Sequence, residues 1–550
     1  MVKIALAQVN PTVGDLARNR GLVEEAAARA QRAGADLVVL PEMVLTGYPP
    51  MDLLERDGFV RDQLSELEAL APASRGIAIA LGAVLPVERR GAGHLSNCAV
   101  LLHGGERVAV QAKTLLPTYD VFDENRYFVP AESRSVVRIP GWPAIGLSVC
   151  EDAWVGRFPY RVDPVADLTA QGAEVVLNLS ASPWHVGKPV ERRRLFADLA
   201  ARCSVPIVFV NQLGGDDELI FDGASFVSDA AGGIHSALPL FEEGIATFDM
   251  ASSGGRRPED VVDPEPVAQL EGGLVLGIRD YFRKQGLPPG AVVALSGGID
   301  SAVTAHLAVE ALGADQLLGV AMPGPFSSDH SLSDAGALAR NLGIQLRTVD
   351  IRPVYRAYLD VFGALFGTSD DYGLAQQNIQ SRIRGAILMA VSNAEGRLVL
   401  ATGNKSELSV GYCTLYGDTV GGLAVLGDVY KRDVYALARH ANKSGERVPV
   451  NTIEKAPSAE LAPGQLDTDD LPPYDILDAV LHQAIEGGLS ASSVTPPEGV
   501  PQADAHAIVR RMDRNEYKRR QSPLVLRVSP KAFGTGRRLP IVHRYEERDD

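Results

Sequence analysis

The chain has 550 residues, 46% of them apolar and 22% charged, and its 53 Lys and Arg against 69 Asp and Glu leave a net charge of -16. That is the composition of a folded protein of two large or three average domains, and it excludes a disordered or fibrous chain. The acidic balance argues against a nucleic-acid partner, because phosphate backbones are held by clustered Lys and Arg, although a small anionic ligand needs only a few local cations.

In chain order, the opening MVKIALAQVN alternates like a strand and lacks the basic-then-apolar order of a secretory signal. No run approaches the ~20 apolar residues that span a bilayer, so no membrane association is expected. The strand-like runs IALAQV, LVVLPE, IAIALGAV, AIGLSVCED, VVLNLSA and PIVFVNQ alternate with helical stretches such as Asp15 to Arg32, which is an α/β pattern. The four cysteines, Cys98, Cys150, Cys203 and Cys413, form no close pairs, which argues against a disulfide framework or a zinc site and makes a cytoplasmic enzyme the expectation.

The stretch ASSGGRRPEDVVDPEP, from Ala251 to Pro266, is rich in Gly, Pro and charge and reads as a linker. It predicts one domain over 1–250 and a second over 267–550. Beyond it VVALSGG, LLGVAMP, QLRTVDI and RLVLATG form a second strand series with helices between, predicting a parallel, doubly wound sheet whose ligands bind at the carboxyl ends of its strands. The segment from Lys455 to Pro473, with its prolines and acids, reads as a surface loop.

Three reactive groups in the first half stand at the ends of apolar strands: Glu42 in LVVLPE, Lys113 in RVAVQAKTLLP and Cys150 in GLSVCED. Alone, a cysteine after a strand is more often a buried small hydrophobe, and a single carboxylate or ammonium a solvated charge. Together they suit amide hydrolysis, with Cys150 as nucleophile, Glu42 as base and Lys113 as the cation facing the tetrahedral oxyanion. His185 is set aside as a protease-type partner for the cysteine, since Glu42 already supplies a base.

The segments LPE, K-x-x-L-P-x-Y and C-E-D resemble those of the nitrilase superfamily over about residues 1–250, which implies an αββα sandwich. The run KTLLPTYDVFDENRYF is similar to the branch of that superfamily fused to NAD synthetases. The likeness implies that Tyr119 contacts glutamine and that Glu124 supports the lysine and cysteine. NLSASPWHVGK resembles the glutamine-binding stretch of the same branch, placing Ser182 and Lys188 near the substrate; a strand followed by a polar loop is the plainer reading.

In the second half SGGIDS, comprising Ser296, Gly297, Gly298, Ile299, Asp300 and Ser301, follows the strand VVAL and opens a helix. Two glycines let the backbone close on phosphate oxygens, and a helix N-terminus offers unpaired amides. The pattern lacks the lysine of G-x-x-x-x-G-K-[ST], so γ-phosphate transfer is not implied. It resembles the pyrophosphate loop of the N-type ATP pyrophosphatases, with ATP as cosubstrate and Mg²⁺ at Asp300.

LVLATGNKSELSVGYCTLYGD resembles the NAD synthetase segment in which a threonine meets ATP and a glutamate meets metal and dinucleotide, roles that fall on Thr402 and Glu407. By the same likeness QNIQSRIRG brings Asn378 and Arg382 to the dinucleotide, and their i to i+4 spacing puts both on one helix face. Lys431 and Lys455 follow family positions near the phosphates or the reacting centre, and PGPFSSDHS, from Pro323 to Ser331, sits where the family has a loop over ATP. Lys518 in the basic run RNEYKRRQSP falls on a dinucleotide position, though such a run is commonly a solvated face.

Jointly the resemblances imply an ATP-dependent amidation of deamido-NAD with ammonia from glutamine, carried through a sheltered path, by a homo-oligomer. One alternative is a glutamine-dependent ligase that adenylates a different carboxylate. Another is a first half that serves only as a docking module, which would have no need of Glu42, Lys113 and Cys150 together.

Overall fold

The computed structural model describes residues 2–87, 95–156, 158–252, 254–288, 290–369 and 371–545. The chain divides into two compact units, Met1–Pro264 and Glu265–Asp550.

The first unit is built on two six-stranded sheets. Strands β1 (Lys3–Gln8), β2 (Leu37–Val39), β3 (Ala78–Pro86), β4 (Leu95–His103) and β5 (Glu106–Ala112) form the first. Then β6 (Val136–Val137), β7 (Ile145–Val149), β8 (Val175–Ser180) and β9 (Ile207–Asn211) begin the second. A hairpin, β10 (Leu213–Asp216) and β11 (Leu219–Asp222), is followed by β12 (Phe226–Ser228), β13 (Ile234–His235) and β14 (Gly244–Asp249). The sheet orders are β14-β1-β2-β3-β4-β5 and β13-β12-β9-β8-β7-β6.

Alternation along the strands explains the layering, since successive side chains point to opposite faces. Ile4, Leu6, Leu37, Val39, Ala78 and Ala80 of the first sheet meet Ile145, Leu147, Val149, Val175, Leu177 and Leu179 of the second in one buried core. The intervening residues Ala5, Ala7, Val38 and Ile79 face outward, under Val23, Ala26 and Ala30 of helix α1 (Leu16–Arg32) and Leu67 of α2 (Asp57–Ala69). On the far side Val176, Ile207 and Phe209 lie under α3 (Pro164–Ala170) and α4 (Lys188–Cys203) through Val165, Leu168 and Phe196. The layers therefore run helix, sheet, sheet, helix, the αββα sandwich that the motifs imply.

The second unit opens with α5 (Pro266–Gln285), followed by β15 (Ala291–Ala294) and α6 (Ile299–Leu312). Next come β16 (Leu317–Ala321), α7 (Asp329–Leu342), β17 (Gln345–Thr348), α8 (Arg352–Phe366) and α9 (Leu374–Glu395). After these the chain forms β18 (Leu398–Ala401), α10 (Lys405–Val410), β19 (Leu423–Ala424), α11 (Lys431–Ala441) and, near the end, β20 (Leu524–Val525). The order β17-β16-β15-β18-β19-β20 is parallel throughout.

Short all-apolar strands such as AVVA are what a sheet covered on both faces demands. Val292, Leu318 and Val399 pack beneath Tyr355 of α8 and Ile383 and Leu388 of α9, while α6, backed by α5 and α11, packs on β15 and β16. The chain leaves β15 outward to β16 and β17, then returns to β18 on the other side. A crevice opens at such a reversal, at the carboxyl ends of the strands, and SGGIDS follows β15 there. Among the described residues no helix is long and apolar enough to cross a membrane.

Candidate active sites

In the first unit Glu42, Lys113, Glu124 and Cys150 come together from four separate chain segments. Glu42 leaves the segment after β2 beside Met43, whose φ of +46° turns the chain sharply. Gly82 of β3 makes room for this, because a Cβ there would lie 2.1 Å from the Met43 nitrogen. Lys113 is the residue after β5, and its N–H extends the sheet by donating to the Asn97 carbonyl of β4. Cys150 directly follows β7 with φ +42°, a left-handed conformation uncommon outside glycine and typical of a residue held at a sharp functional turn.

The Lys113 ammonium is fully buried between two carboxylates, 2.8 Å from Glu42 Oε1 and 2.7 Å from Glu124 Oε1. Asn97 Nδ2 donates to Glu42 Oε1 at 2.6 Å, and the Ala181 N–H donates to Glu42 Oε2 at 2.8 Å. Tyr48 donates to Glu124 at 3.0 Å. Burial alone would lower the lysine pKa, but Glu124 and Glu42 outweigh it and hold the group well above its ordinary value, so it stays an ammonium. Burial also pushes Glu124 above the usual carboxylate range.

Burial, followed by Glu42, pushes the Cys150 thiol well up, against the pull of Lys113. The resting Cys150 side chain is therefore a thiol, and attack by its sulfur would require a base to take the proton.

The remaining residues expected in this half lie around the same turn. Tyr119 donates to both oxygens of the buried Glu151, at 3.0 and 2.9 Å, and its ring stacks 4.1 Å from Phe158. Ser182 is fixed through its backbone: its N–H donates to Asn211 Oδ1 at 2.8 Å, and its carbonyl accepts from Asn211 and Arg192. Lys188 opens α4, with its ammonium 4.0 Å from the Trp154 ring, four residues past Cys150, and 3.2 Å from Glu191. The His185 ring bonds the neighbouring Val186 carbonyl. Tyr48, Asn97 and Glu151 were not selected from sequence: Tyr48 and Asn97 stand in no motif, and Glu151, inside C-E-D, carried no role there beyond the acidic pair after Cys150.

In the second unit SGGIDS forms a closed turn. Gly297 has φ +76°, the Gly298 N–H donates to Ser296 Oγ at 3.2 Å, Ser301 Oγ donates to the Gly298 carbonyl at 2.9 Å, and α6 begins at Ile299. Asp300, in the first turn of α6, accepts from Asn404 Nδ2 at 2.8 Å and pairs with Lys431 at 2.6 Å. Lys431 also lies 3.4 Å from Glu407, which burial and Asp300 push above the carboxylate range. Asn404 and Glu407 cap α10 reciprocally, the N-x-x-E form of a capping box, so the helix start orients both side chains. Thr402 follows β18 directly, half-buried at the carboxyl edge of the sheet.

Asp300 and Glu407, two hard-oxygen donors within reach of one ammonium, are a fitting partial set for a divalent cation. Among the described residues no group of three His, Cys, Asp or Glu could hold a metal by itself. Mg²⁺ suits such a site, since it usually takes one or two carboxylates and completes its shell with phosphate oxygens and water.

Asn378, Arg382 and Lys518 converge on a different place, the loop 411–415. Asn378 Oδ1 accepts from Thr414 at 2.7 Å, Arg382 Nε donates to the Leu415 carbonyl at 3.1 Å, and Lys518 Nζ donates to the Gly411 and Cys413 carbonyls at 2.6 and 2.9 Å. Lys455 pairs with Asp334 of α7.

The segment from Lys455 to Pro473 forms no strand and is mostly exposed or half-buried, the surface loop its composition suggests, tied down at two of its acids. Asp467 is buried and accepts from Tyr474 at 2.9 Å and Tyr412 at 3.2 Å, and Glu460 accepts from the Ser328 and Ser331 hydroxyls at 2.8 Å. Asp467 and Glu460 thus accept from hydroxyls, while Asp469 and Asp470 stay exposed. The segment from Pro323 to Ser331 is thereby held from the side by Glu460, with Ser328 capping α7.

Comparison with known proteins follows the same division. Residues 3–257 match the carbon-nitrogen hydrolase family and residues 272–522 the NAD synthase family. The chain is 45% identical to a glutamine-dependent NAD(+) synthetase of Synechocystis sp. and 40% identical to one of Thermotoga maritima, each alignment covering 99% of both chains. A solved glutamine-dependent NAD+ synthetase from Acinetobacter baumannii, in complex with ADP, superposes with a TM-score of 0.76 at 37% identity and 98% coverage of each chain.

Proposed function

The chain belongs to the glutamine-dependent NAD(+) synthetases, and on that premise we propose how its own residues divide the work. It is a ligase that makes NAD+ from deamido-NAD with glutamine as nitrogen donor. The observation that carries the assignment is the Lys113 ammonium clamped between Glu42 and Glu124 beside Cys150, in one chain with an anion turn whose Asp300 reaches Lys431.

In the first half, Glu42 takes the Cys150 proton as sulfur attacks the glutamine side-chain carbonyl, and Lys113 faces the oxyanion that develops. Glu42 then returns the proton to the departing nitrogen, ammonia leaves, and water, deprotonated by Glu42, cleaves the thioester to free glutamate. Glu124 holds Lys113 against Glu42 throughout. Tyr119, Glu151, Ser182 and Lys188 surround the amino acid end of glutamine.

In the second half, the SGGIDS amides and hydroxyls and Thr402 hold ATP while the nicotinate carboxylate attacks its α-phosphorus, forming an acyl adenylate and releasing pyrophosphate. Ammonia then displaces AMP. Mg²⁺ held by Asp300 and Glu407 would neutralise phosphate charge, chiefly on the leaving pyrophosphate. Lys431, in contact with both carboxylates, adds a second cation to the same charge. The 411–415 loop, with Asn378, Arg382 and Lys518 behind it, borders the dinucleotide. The family resemblance further supports a cytoplasmic homo-oligomer as the working form.

The direct test follows AMP and NAD from ATP, Mg²⁺ and deamido-NAD, with glutamine or ammonium as nitrogen source. Formation of both products with either source is expected; none with either would mean a different acceptor carboxylate.

Gly297 gives a sharper test of the ATP turn. A Cβ at this position would sit 2.5 Å from the Ser331 carbonyl oxygen and 2.7 Å from its Cα, on a backbone that side chains avoid. Gly297→Ala is expected to displace the turn and lower kcat/KM for ATP about 100-fold, a common consequence of an ångström's misplacement. Initial rates at varied ATP should show the same loss with glutamine and with ammonium.

A further inference from the structure

Asp152 lies two residues past Cys150 and is 1% exposed. Its two oxygens accept from the backbone of two distant segments. Oδ1 takes the N–H groups of Thr114 at 2.9 Å and Leu115 at 2.8 Å, and Oδ2 takes that of Val149 at 3.2 Å. Thr114 and Leu115 directly follow Lys113, and Val149 directly precedes Cys150. One buried carboxylate thus joins the backbone carrying the ammonium, at the exit of the first sheet, to the backbone carrying the nucleophile, at the exit of the second.

We propose that Asp152 is a positioning residue of the amidase site, setting the separation of the Lys113 ammonium and the Cys150 sulfur through these three N–H bonds. The inference rests on the amidase role of Cys150 given above. A local capping role explains only the Val149 bond, which closes the short turn Cys150–Ala153. It does not explain the two bonds to a segment 37 and 38 residues away.

The chemistry suits aspartate in particular. An ionised carboxylate is acceptor-only and can serve three N–H groups at once, whereas asparagine would turn an NH₂ toward one of them. Burial, the largest influence, pushes the Asp152 carboxyl up to about 6, with the Leu115, Val149 and Thr114 N–H groups and the Lys113 ammonium working in the other direction. The group is therefore mainly ionised above neutral pH. The short side chain also fixes the link closely, since aspartate has few rotamers with which to absorb a shift. Asp152 makes no bond to Glu42 or Glu124, so its substitution leaves the bonds that pair Lys113 with them in place.

The test measures glutamine hydrolysis by the full-length protein, with ammonia-driven NAD formation by each preparation as an internal reference. Asp152→Asn is expected to lower kcat for glutamine roughly 100-fold while KM for glutamine stays near the parent value. It should also slow alkylation of Cys150 by iodoacetamide, read against a Cys150→Ala blank. A purely structural residue would lower the melting temperature and leave the kcat and alkylation rate of the folded fraction unchanged, and that result would overturn the proposal. If Asp152→Asn does not fold, Asp152→Glu keeps two acceptor oxygens but displaces them by one methylene, and it should show the same loss of kcat at retained KM. Parent-like kcat in folded Asp152→Glu would then overturn the proposal. Glutamine use that survives in Cys150→Ala would instead remove the amidase reading on which the proposal rests.

Discussion

Cys150→Ala is expected to abolish glutamine-driven NAD formation, a loss of at least about 10⁴-fold, while NAD formation from ammonium continues at the parent rate. Removing the nucleophile of a covalent mechanism leaves only the residual catalysis of the groups around it. Glu42, Lys113 and Glu124 would remain paired, since the bonds that join them do not involve the sulfur, so the variant should fold normally. The assay is NAD formation at saturating ATP and deamido-NAD with each nitrogen source in turn. Equal loss with both sources would show that Cys150 serves the synthetase reaction as a whole.

Asp300→Asn should show the opposite pattern, a loss of about 100- to 1,000-fold with glutamine and ammonium alike, because removing a group that stabilises developing charge commonly costs that much. Asp300 accepts from Asn404 with one oxygen and pairs with Lys431 through the other. An asparagine NH₂ must face a donor at one of these two contacts. The substitution also deletes one of the two carboxylates suited to Mg²⁺ and leaves Lys431 with Glu407 alone, at 3.4 Å. Measured against Mg²⁺ concentration, the variant should need more of the ion for half its maximal rate. Retained ammonium-driven turnover would remove Asp300 from the nucleotide site.

What could be read from sequence and what could not differ in kind. Strand ends were legible because an apolar run that stops at Glu42, Lys113 or Cys150 announces where a sheet delivers a side chain. The SGGIDS turn was legible because its glycines and its place between strand and helix are local features. The bond from Asn97 to Glu42 and the one from Tyr48 to Glu124 were not, since each joins residues far apart in sequence and neither residue type is unusual where it stands. The segment around Asp467 was legible as a surface loop from its acids and prolines, but not the anchoring of Asp467 by the hydroxyls of Tyr412 and Tyr474, which stand outside that run. Asn378 and Arg382 share a helix face as their spacing predicts, yet only the fold shows that this face grips the 411–415 loop, at the Thr414 hydroxyl and the Leu415 carbonyl.

The amidase residues leave two different sheets, Glu42 and Lys113 from the first and Cys150 from the second. Either sheet formed alone therefore lacks part of the chemistry, and the cysteine has neither a base nor a facing cation until the two layers close. A growing chain is therefore mute toward glutamine until both sheets of the first unit have formed and closed on each other. Glutamine hydrolysis itself then reports that the two layers are closed on each other.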